Sequence, residues 1–305
     1  MNSRFSTQTA ASLQMVVSMI ILGSLGLVIK WVPFSSTAIA AIRGVVGVSA
    51  LAVIARLTGH RLGASRLRAR LGPLLLSGAA LGVNWMFSFA AYKFADMSVV
   101  TLCLYTYPVF LLLLSPVLFH ERLTLSGVLC VIACMAGMVL SSGVLTQTLS
   151  RQTVTGIIFA LVAAIFGAAV ILSVKLLDGI DALDITIVQL GTATIMLIPY
   201  GVITGAFASV RPDMRSALLL LGAGVFQTGI AYYLQFSAVK RLKGQLTAIL
   251  SYVDPLVAVA LSMLVLGETM DGPQILGAAL ILCSTLVNQL FTSAPSPPPE
   301  PSGEE

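Results

Sequence analysis

Ten nearly uncharged stretches of about 20 residues follow one another along this 305-residue chain, and about 20 apolar residues carry a helix across the hydrocarbon core of a bilayer. Charged residues make up 10% of the chain, against roughly 25% in soluble domains, and the mean hydropathy is +0.99. Water is therefore not its main solvent. The predicted spans cover residues 12–30, 36–57, 72–92, 98–118, 124–142, 154–173, 184–206, 216–237, 245–266 and 273–291.

The basic residues predict how these spans are oriented. The loop between the second and third spans, TGHRLGASRLRARLG, carries four arginines, and short basic loops stay in the cytoplasm. An even number of spans returns the chain to that side. We therefore expect a multi-pass protein of the cell inner (plasma) membrane with both termini cytoplasmic. The tail at 293–305, SAPSPPPEPSGEE, is proline-rich and acidic and predicts a disordered cytoplasmic segment.

The chain also repeats itself at an offset of 147 residues, which is the length of five spans. Because five is odd, the second copy must enter the membrane from the opposite side. The sequence therefore predicts an all-α integral membrane protein of ten transmembrane helices, built from a first five-helix repeat (1–147) and a second, inverted one (148–292). Inverted repeats are typical of transporters that bind substrate near the bilayer midplane. The repeated residues include Tyr105 and Tyr252, Pro108 and Pro255, Ser115 and Ser262, and Glu121 and Glu268.

The paired YxxP–Glu units resemble those of the EamA-type family of the drug/metabolite transporter superfamily, as does Arg43 in the motif AIRGVVG. The resemblance covers residues 12 to 291. It implies a ten-span carrier without an enzymatic activity, and some similar proteins export amino acids. The family pattern does not specify the substrate.

Polar and aromatic side chains inside the spans predict a path for the solute, because such residues usually face a bundle interior or a wet cavity. The third span carries small and polar residues on one helix face, and the eighth span carries small and polar residues at the matching positions. Tyrosines occur within spans as well as at their ends. The candidates for the substrate path are Asn84, Trp85, Ser88, Tyr105, Tyr107, Gln227, Tyr232, Gln235, Ser251, Tyr252 and Asp254. A packing role between helices is the alternative for each.

Asp254 is the one acid well inside a span. It would bind a substrate ammonium, carry a coupling proton, or pair structurally with Arg43, to which we assign a gating or packing role. Pro108 and Pro255 are candidate hinges, because proline removes a helical hydrogen bond. Glu121 and Glu268 end their spans, and we expect each to act on the dipole of the helix that follows.

The leading prediction is secondary or facilitative export of a small metabolite by alternating access, with an amino acid, possible aromatic or amphipathic cargoes included, as the leading cargo. No GxxxxGK[ST] loop for ATP occurs, and the four cysteines lie in apolar spans without metal-site spacing. We expect no metal and no cofactor; the partners are a small-molecule solute and the lipid bilayer, not nucleic acid. The oligomeric state stays open.

Two alternatives remain. A nucleotide-sugar or sugar-phosphate transporter of the same fold would need several basic side chains along its path, and only Arg43 lies inside a span. A membrane prenyltransferase would hold magnesium and diphosphate with aspartates, for which DGIDALD at 178–184 is one acidic cluster without a second. Asp184 is instead well placed to cap the seventh span.

The five-span repeat makes a testable prediction about sidedness. Reporter fusions at Thr146 and Glu305 should report opposite sides of the membrane, with Glu305 cytoplasmic, because the arginine-rich loop resists translocation. The same side for both fusions would rule out a repeat of five spans.

Overall fold

The computed structural model describes residues 2–60, 63–95, 97–141, 150–211, 213–267 and 272–293, and every regular element in these ranges is helical. Eight helical segments of the described chain are long and apolar enough to cross a membrane. Two shorter apolar helices, Leu125–Leu140 and Ile275–Ser284, lie at the places predicted for the fifth and tenth spans. The expected tail at 293–305 begins with Ser293, which is the last residue of the final helix, and its residues 294–305 lie outside the described residues, as do Glu268 and the side chain of Ser262.

We number the α-helices in chain order. They are α1 (Asn2–Gly23), α2 (Leu25–Trp31), α3 (Ser36–Leu57), α4 (Ala64–Ala69), α5 (Leu71–Ala91), α6 (Met97–Leu104), α7 (Tyr107–Phe119), α8 (Leu125–Ser141), α9 (Arg151–Leu176), α10 (Ala182–Ile203), α11 (Met214–Gly222), α12 (Ala231–Val239), α13 (Gly244–Leu250), α14 (Val253–Leu266) and α15 (Gly272–Ser293). A short 3₁₀ helix follows α10, and a π-helix, Ala223–Ile230, joins α11 to α12.

The fourth and ninth predicted spans are each broken near their centre. A two-residue turn separates α6 from α7, and another separates α13 from α14. Pro108 and Pro255 lie in the first turn of α7 and α14, where a helix does not need the N–H that proline lacks. The prolines therefore begin second half-helices, whereas the sequence predicted bends within continuous helices.

The helices pack closely around the middle of the bundle. α5 contacts α9 and α10, α1 contacts α12 and α14, and α3 contacts α10 and the π-helix. A Cβ added to Gly47 of α3 would lie 2.9 Å from the carbonyl oxygen of Gly224, so α3 approaches the π-helix at backbone distance. Small residues allow such close approach between membrane helices.

Two contacts join residues that occupy equivalent positions in the repeat. The Trp85 indole donates to the Tyr232 hydroxyl at 3.3 Å, and the Cys134 thiol lies 4.0 Å from the Ile281 carbonyl oxygen; both pairs are 147 residues apart. A residue contacts its own counterpart only near a two-fold axis. These contacts are what a two-fold axis between the halves of the chain would produce.

The broken spans predict a role for both prolines in movement. Pro108→Ala or Pro255→Ala supplies an N–H that favours a continuous helix, so transport should slow about tenfold, a barrier increase of about 1.4 kcal/mol, while membrane insertion is unchanged. Pro199→Ala in α10, away from both breaks, is the matched control. Flux by the purified variants in liposomes measures the effect; equal rates for all of them would leave the prolines a packing role only.

Candidate functional site

A cavity of about 330 Å³ lies where the two broken spans meet α1, α5, α9 and α12. Ligand pockets for small molecules run from about 300 to 1,000 Å³, so this cavity is at the small end of that range. Seven of the predicted path residues line it: Asn84, Ser88, Tyr105, Tyr107, Tyr232, Gln235 and Asp254. The structure therefore brings together residues from both halves of the chain.

Four predicted path residues lie outside the cavity lining. Trp85 stands behind Tyr232 and donates to its hydroxyl, and the Gln227 amide donates to the Ser24 hydroxyl at 2.7 Å. Ser251 and Tyr252 are fully buried at the break between α13 and α14. The Trp85 and Gln227 contacts join helices, and each supports a wall of the bundle.

Two polar residues of the cavity lining were missing from the sequence prediction. Tyr92 and Thr101 line the cavity beside Ser88 and Tyr105. Tyr92 follows Ser88 by four positions, and Thr101 precedes Tyr105 by four. This spacing places the two members of each pair on one face of a helix. Continuing the polar stripe of the third span by one turn would have identified Tyr92, and the same step back from Tyr105 would have identified Thr101.

Asp254 is the one acidic residue among the described side chains that line the cavity. It lies in the first turn of α14, where a negative charge interacts favourably with the helix dipole. Tyr105 lies close to its carboxylate and also lines the cavity. A carboxylate held in this way is suited to receive a proton or an ammonium group from the cavity.

Aromatic rings form much of the wall around Asp254. Four tyrosines line the cavity, and the rings of Tyr105 and Tyr107 lie 6.5 Å apart, centre to centre. Tyr232 packs edge-on against Phe236 at 5.6 Å. Aromatic faces attract organic cations most strongly where water is excluded. A wall of this kind offers aromatic faces and apolar surface next to one carboxylate.

Arg43 lies outside the lining and does not form the ion pair considered for it. Its side chain is 5% exposed, and its charged atoms lie more than 4.0 Å from the Asp254 carboxylate. Among the described residues, Asp254 therefore has no basic partner in an ion pair. A structural Arg43–Asp254 pair is wrong for this conformation.

The aspartates of DGIDALD stabilise local structure. Asp181, not Asp184, caps α10, by accepting from the Leu183 N–H at 2.8 Å. Asp184 instead contacts His60 at 2.8 Å and accepts from the Gly63 N–H at 3.0 Å. These contacts tie the arginine-rich loop to the start of α10, and no group of metal ligands forms among the described residues.

The same end of the bundle is held by a cluster that we name the latch: Ser115, Glu121, Lys175 and Gly244. Lys175 Nζ donates to Glu121 Oε1 at 2.6 Å, while Ser115 Oγ at 2.5 Å and the Gly244 N–H at 2.7 Å donate to Oε2. Glu121 was expected to act on α8, the next helix. It is instead bound at the start of α13, because α7 and α13 are packed together.

The latch fixes the charge of Glu121. Burial alone would raise its pKa, but the hydrogen bonds from Lys175, Ser115 and Gly244 outweigh it and hold the pKa below its ordinary value. A lowered pKa stabilises the native state above the ordinary glutamate range, about pH 4.3, and this contribution is lost as pH falls through the lowered value. The latch is therefore fully formed at neutral pH.

This linkage gives a prediction about stability. Lys175→Met leaves the partly buried carboxylate without its cation and should lower the melting temperature of the detergent-solubilised protein, by a destabilisation of about 1–3 kcal/mol. Lys93→Met, at an exposed lysine, is the matched control. The difference between wild type and Lys175→Met should be constant from about pH 7 to 5 and shrink below about pH 4. A difference that disappears already at pH 6 would contradict the assigned pairing.

Comparison with known proteins gives one consistent result. The chain matches the EamA-like transporter family at residues 9–143 and again at 154–289. It is 28% identical over 275 residues to the uncharacterized transporter YxxF of Bacillus subtilis (strain 168), covering 90% of this chain and 88% of that protein. It is 29% identical over 199 residues to an uncharacterized transporter of Archaeoglobus fulgidus, covering 65% and 69%.

A crystal structure has the same fold. It superposes with a TM-score of 0.80 over 93% of this chain and 97% of its own, at 22% sequence identity. Identity at this level supports a shared architecture and says nothing of the solute. Because the two matched segments cover most of the sequence, this protein belongs to the EamA-like transporter family.

Proposed function

We propose that this transporter is a secondary or facilitative exporter of a small amine-bearing metabolite, with an amino acid as the leading cargo, and that it works by alternating access. The observation that carries the proposal is the cavity at the junction of the two halves, where one carboxylate, that of Asp254, stands among four tyrosines. Binding sites for small solutes in transporters of inverted repeats lie at such a junction.

The arrangement of the halves supports alternating access. The family matches the chain twice, and residues 147 positions apart contact one another at Trp85–Tyr232. An inverted pair of five-span repeats would let one half rock against the other around a fixed site. The two breaks, beside Pro108 and Pro255, supply points at which the fourth and ninth spans would flex.

The latch supports an outward-open resting conformation. It lies at the end of the bundle that carries the arginine-rich loop, because Arg66 Nη1 donates to the Gly179 carbonyl oxygen just beyond α9. If basic loops are cytoplasmic, the latch closes the cytoplasmic side. The cavity lining then extends away from it, through Ser88 and Tyr92 near the end of α5 and Thr101 in α6.

The chemistry of the wall supports an amine over a phosphorylated solute. The described lining residues include one acid and no lysine or arginine, whereas a sugar phosphate or nucleotide sugar needs several cations. The cavity volume of about 330 Å³ also suits a small metabolite better than a nucleotide sugar. Those solutes therefore rank below an amino acid.

Asp254→Asn tests the proposal. Asparagine keeps the size and hydrogen bonding of the side chain but carries neither charge nor proton, so efflux should fall about 10- to 100-fold, as expected when a charge-assisted hydrogen bond is lost. Its dependence on pH between 5 and 8 should also disappear. Counterflow of radiolabelled amino acids in proteoliposomes, with nucleotide sugars as a comparison panel, measures both effects.

Asp178→Asn is the matched control, because Asp178 is exposed in the loop after α9. It should transport like the wild type. Normal transport by Asp254→Asn across this pH range would mean that Asp254 serves only as a partner for the freed backbone groups of its broken span. Counterflow of nucleotide sugars, but of no amino acid, would reject the proposed class of cargo. It would not affect the description of the fold.

A further inference from the structure

Three glycines belong to the described lining of the cavity, and they differ in the space beside them. A Cβ on Gly23 would lie 2.6 Å from the Asp254 carbonyl oxygen, and a Cβ on Gly167 would lie 3.2 Å from the Asn84 amide nitrogen. Small residues of this kind allow helices to approach closely. A Cβ on Gly26 would meet no atom of a packed neighbour within 4 Å among the described residues. Close packing therefore accounts for two of these glycines and not for Gly26.

The backbone conformation does not require a glycine at position 26 either. Gly26 lies in the first turn of α2, and its φ is not in the left-handed region that favours glycine. Glycine weakens a helix relative to alanine, because it loses more conformational freedom on folding. A residue with a side chain would therefore suit the helix here better than the glycine that is present.

The open space beside Gly26 is part of the cavity. Leu22 and Gly23 also line the cavity, and they lie four and three positions before Gly26 in the first span. Residues three and four apart share one face of a helix, so this face of the span is turned towards the cavity. Gly26 itself is partly exposed. The missing side chain therefore leaves room at the cavity wall.

This room lies beside the helix that carries Asp254. α2 contacts α14, and Gly23, three residues before Gly26, touches the backbone of Asp254. The leucines at 22 and 25, which line the cavity on either side of this contact, make that part of the wall apolar. A solute whose charged end meets Asp254 would therefore have apolar space next to it, between α14 and α2.

We propose that Gly26 sets the size of the largest cargo, because the space beside it receives the apolar side chain of a solute whose ammonium group meets Asp254. The inference rests on the proposed function and adds a residue that selects among amino acids by side-chain volume. The cavity of about 330 Å³ equals the volume of roughly 11 water molecules at about 30 Å³ each. A few carbon atoms added to its wall would remove a large share of that room.

The test compares alanine and phenylalanine as cargo of the full-length protein. Counterflow of each radiolabelled amino acid in proteoliposomes gives the ratio of their rates. Gly26→Ala adds one methyl group to the wall and should lower the rate for phenylalanine relative to alanine about tenfold, the low end of the effect of one methylene group in an apolar pocket. Gly26→Leu should lower this ratio at least about 100-fold.

Two other glycines are the controls. Gly191 lies in α10 outside the described cavity lining, and a Cβ there would also meet open space, so Gly191→Leu should keep the wild-type ratio. Gly23→Ala brings a Cβ against the backbone of α14 and should lower the melting temperature. Gly26→Ala should not lower it, because the added methyl group meets no packed atom and alanine favours the helix. A fall equal to that of Gly23→Ala would make Gly26 a packing residue and overturn the proposal.

A thiol at position 26 tests the geometry without any cargo. Gly26→Cys should react with a charged, membrane-impermeant methanethiosulfonate, because a thiol in contact with water forms the reactive thiolate. Gly191→Cys should react no faster than the wild type, whose four cysteines give the background. Equal reaction of the two variants would place position 26 away from the cavity and overturn the proposal.

The remaining outcomes separate this inference from the proposed function. An unchanged ratio in Gly26→Leu would overturn selection by size at this position. Wild-type counterflow of alanine but not of phenylalanine would do the same, because the space beside Gly26 would then receive no large side chain. Reaction of Gly26→Cys, combined with wild-type counterflow of no amino acid, would instead reject the proposed cargo.

Discussion

The backbone of a membrane protein can leave the helix only where its freed polar groups find partners, and this constraint governs where the site lies. The breaks in the fourth and ninth spans satisfy it internally. The Thr106 hydroxyl donates to the Cys103 carbonyl oxygen at 2.7 Å, and the Ser251 hydroxyl donates to the Thr247 carbonyl oxygen at 2.8 Å. Tyr107 and Ser251 also interact across the two breaks. Because non-helical backbone at this depth must be buried in protein or face a cavity, the breaks and the cavity occur together.

The repeat contains two kinds of position: some carry the same residue in both halves of the chain, and others carry different residues. The copied residues, such as the tyrosines and prolines at the breaks, form the scaffold around the junction. The changed positions carry charge: Asp254 opposite Tyr107, Arg43 opposite Leu190 and Lys175 opposite Val28. A symmetric scaffold gives two related conformations, whereas recognition of a solute with distinct ends requires an asymmetric set of polar groups. The copied positions serve the first need in the proposed mechanism, and charged differences such as Asp254 serve the second.

Much of this organisation could be predicted from the sequence because it is periodic. Span length gives the helices, the 147-residue offset gives the two halves, and the spacing of Asn84 and Ser88 places them on one face. The partners of Glu121 could not be found in this way. Lys175 is 54 residues away and Gly244 is 123, and no local pattern records which helix ends meet. The same limit explains Asp184, whose contact with His60 depends on a loop 124 residues earlier.

The latch and the cavity make opposite demands on the energy of the two conformations. A carrier must populate both, and a minor state within a few kcal/mol of the major one is about 0.1–10% occupied. A deeply buried ion pair would hold the latch too firmly, since breaking one costs about 3–5 kcal/mol. The Lys175 and Glu121 side chains are 9% and 17% exposed and lie at the ends of their spans. In the proposed alternating-access cycle, water would therefore replace the lost hydrogen bonds when the latch opens. The equivalent position of the first half is Val28, which packs in an apolar cluster with Ile39 and Leu220, so the lysine of the latch has no counterpart in the repeat.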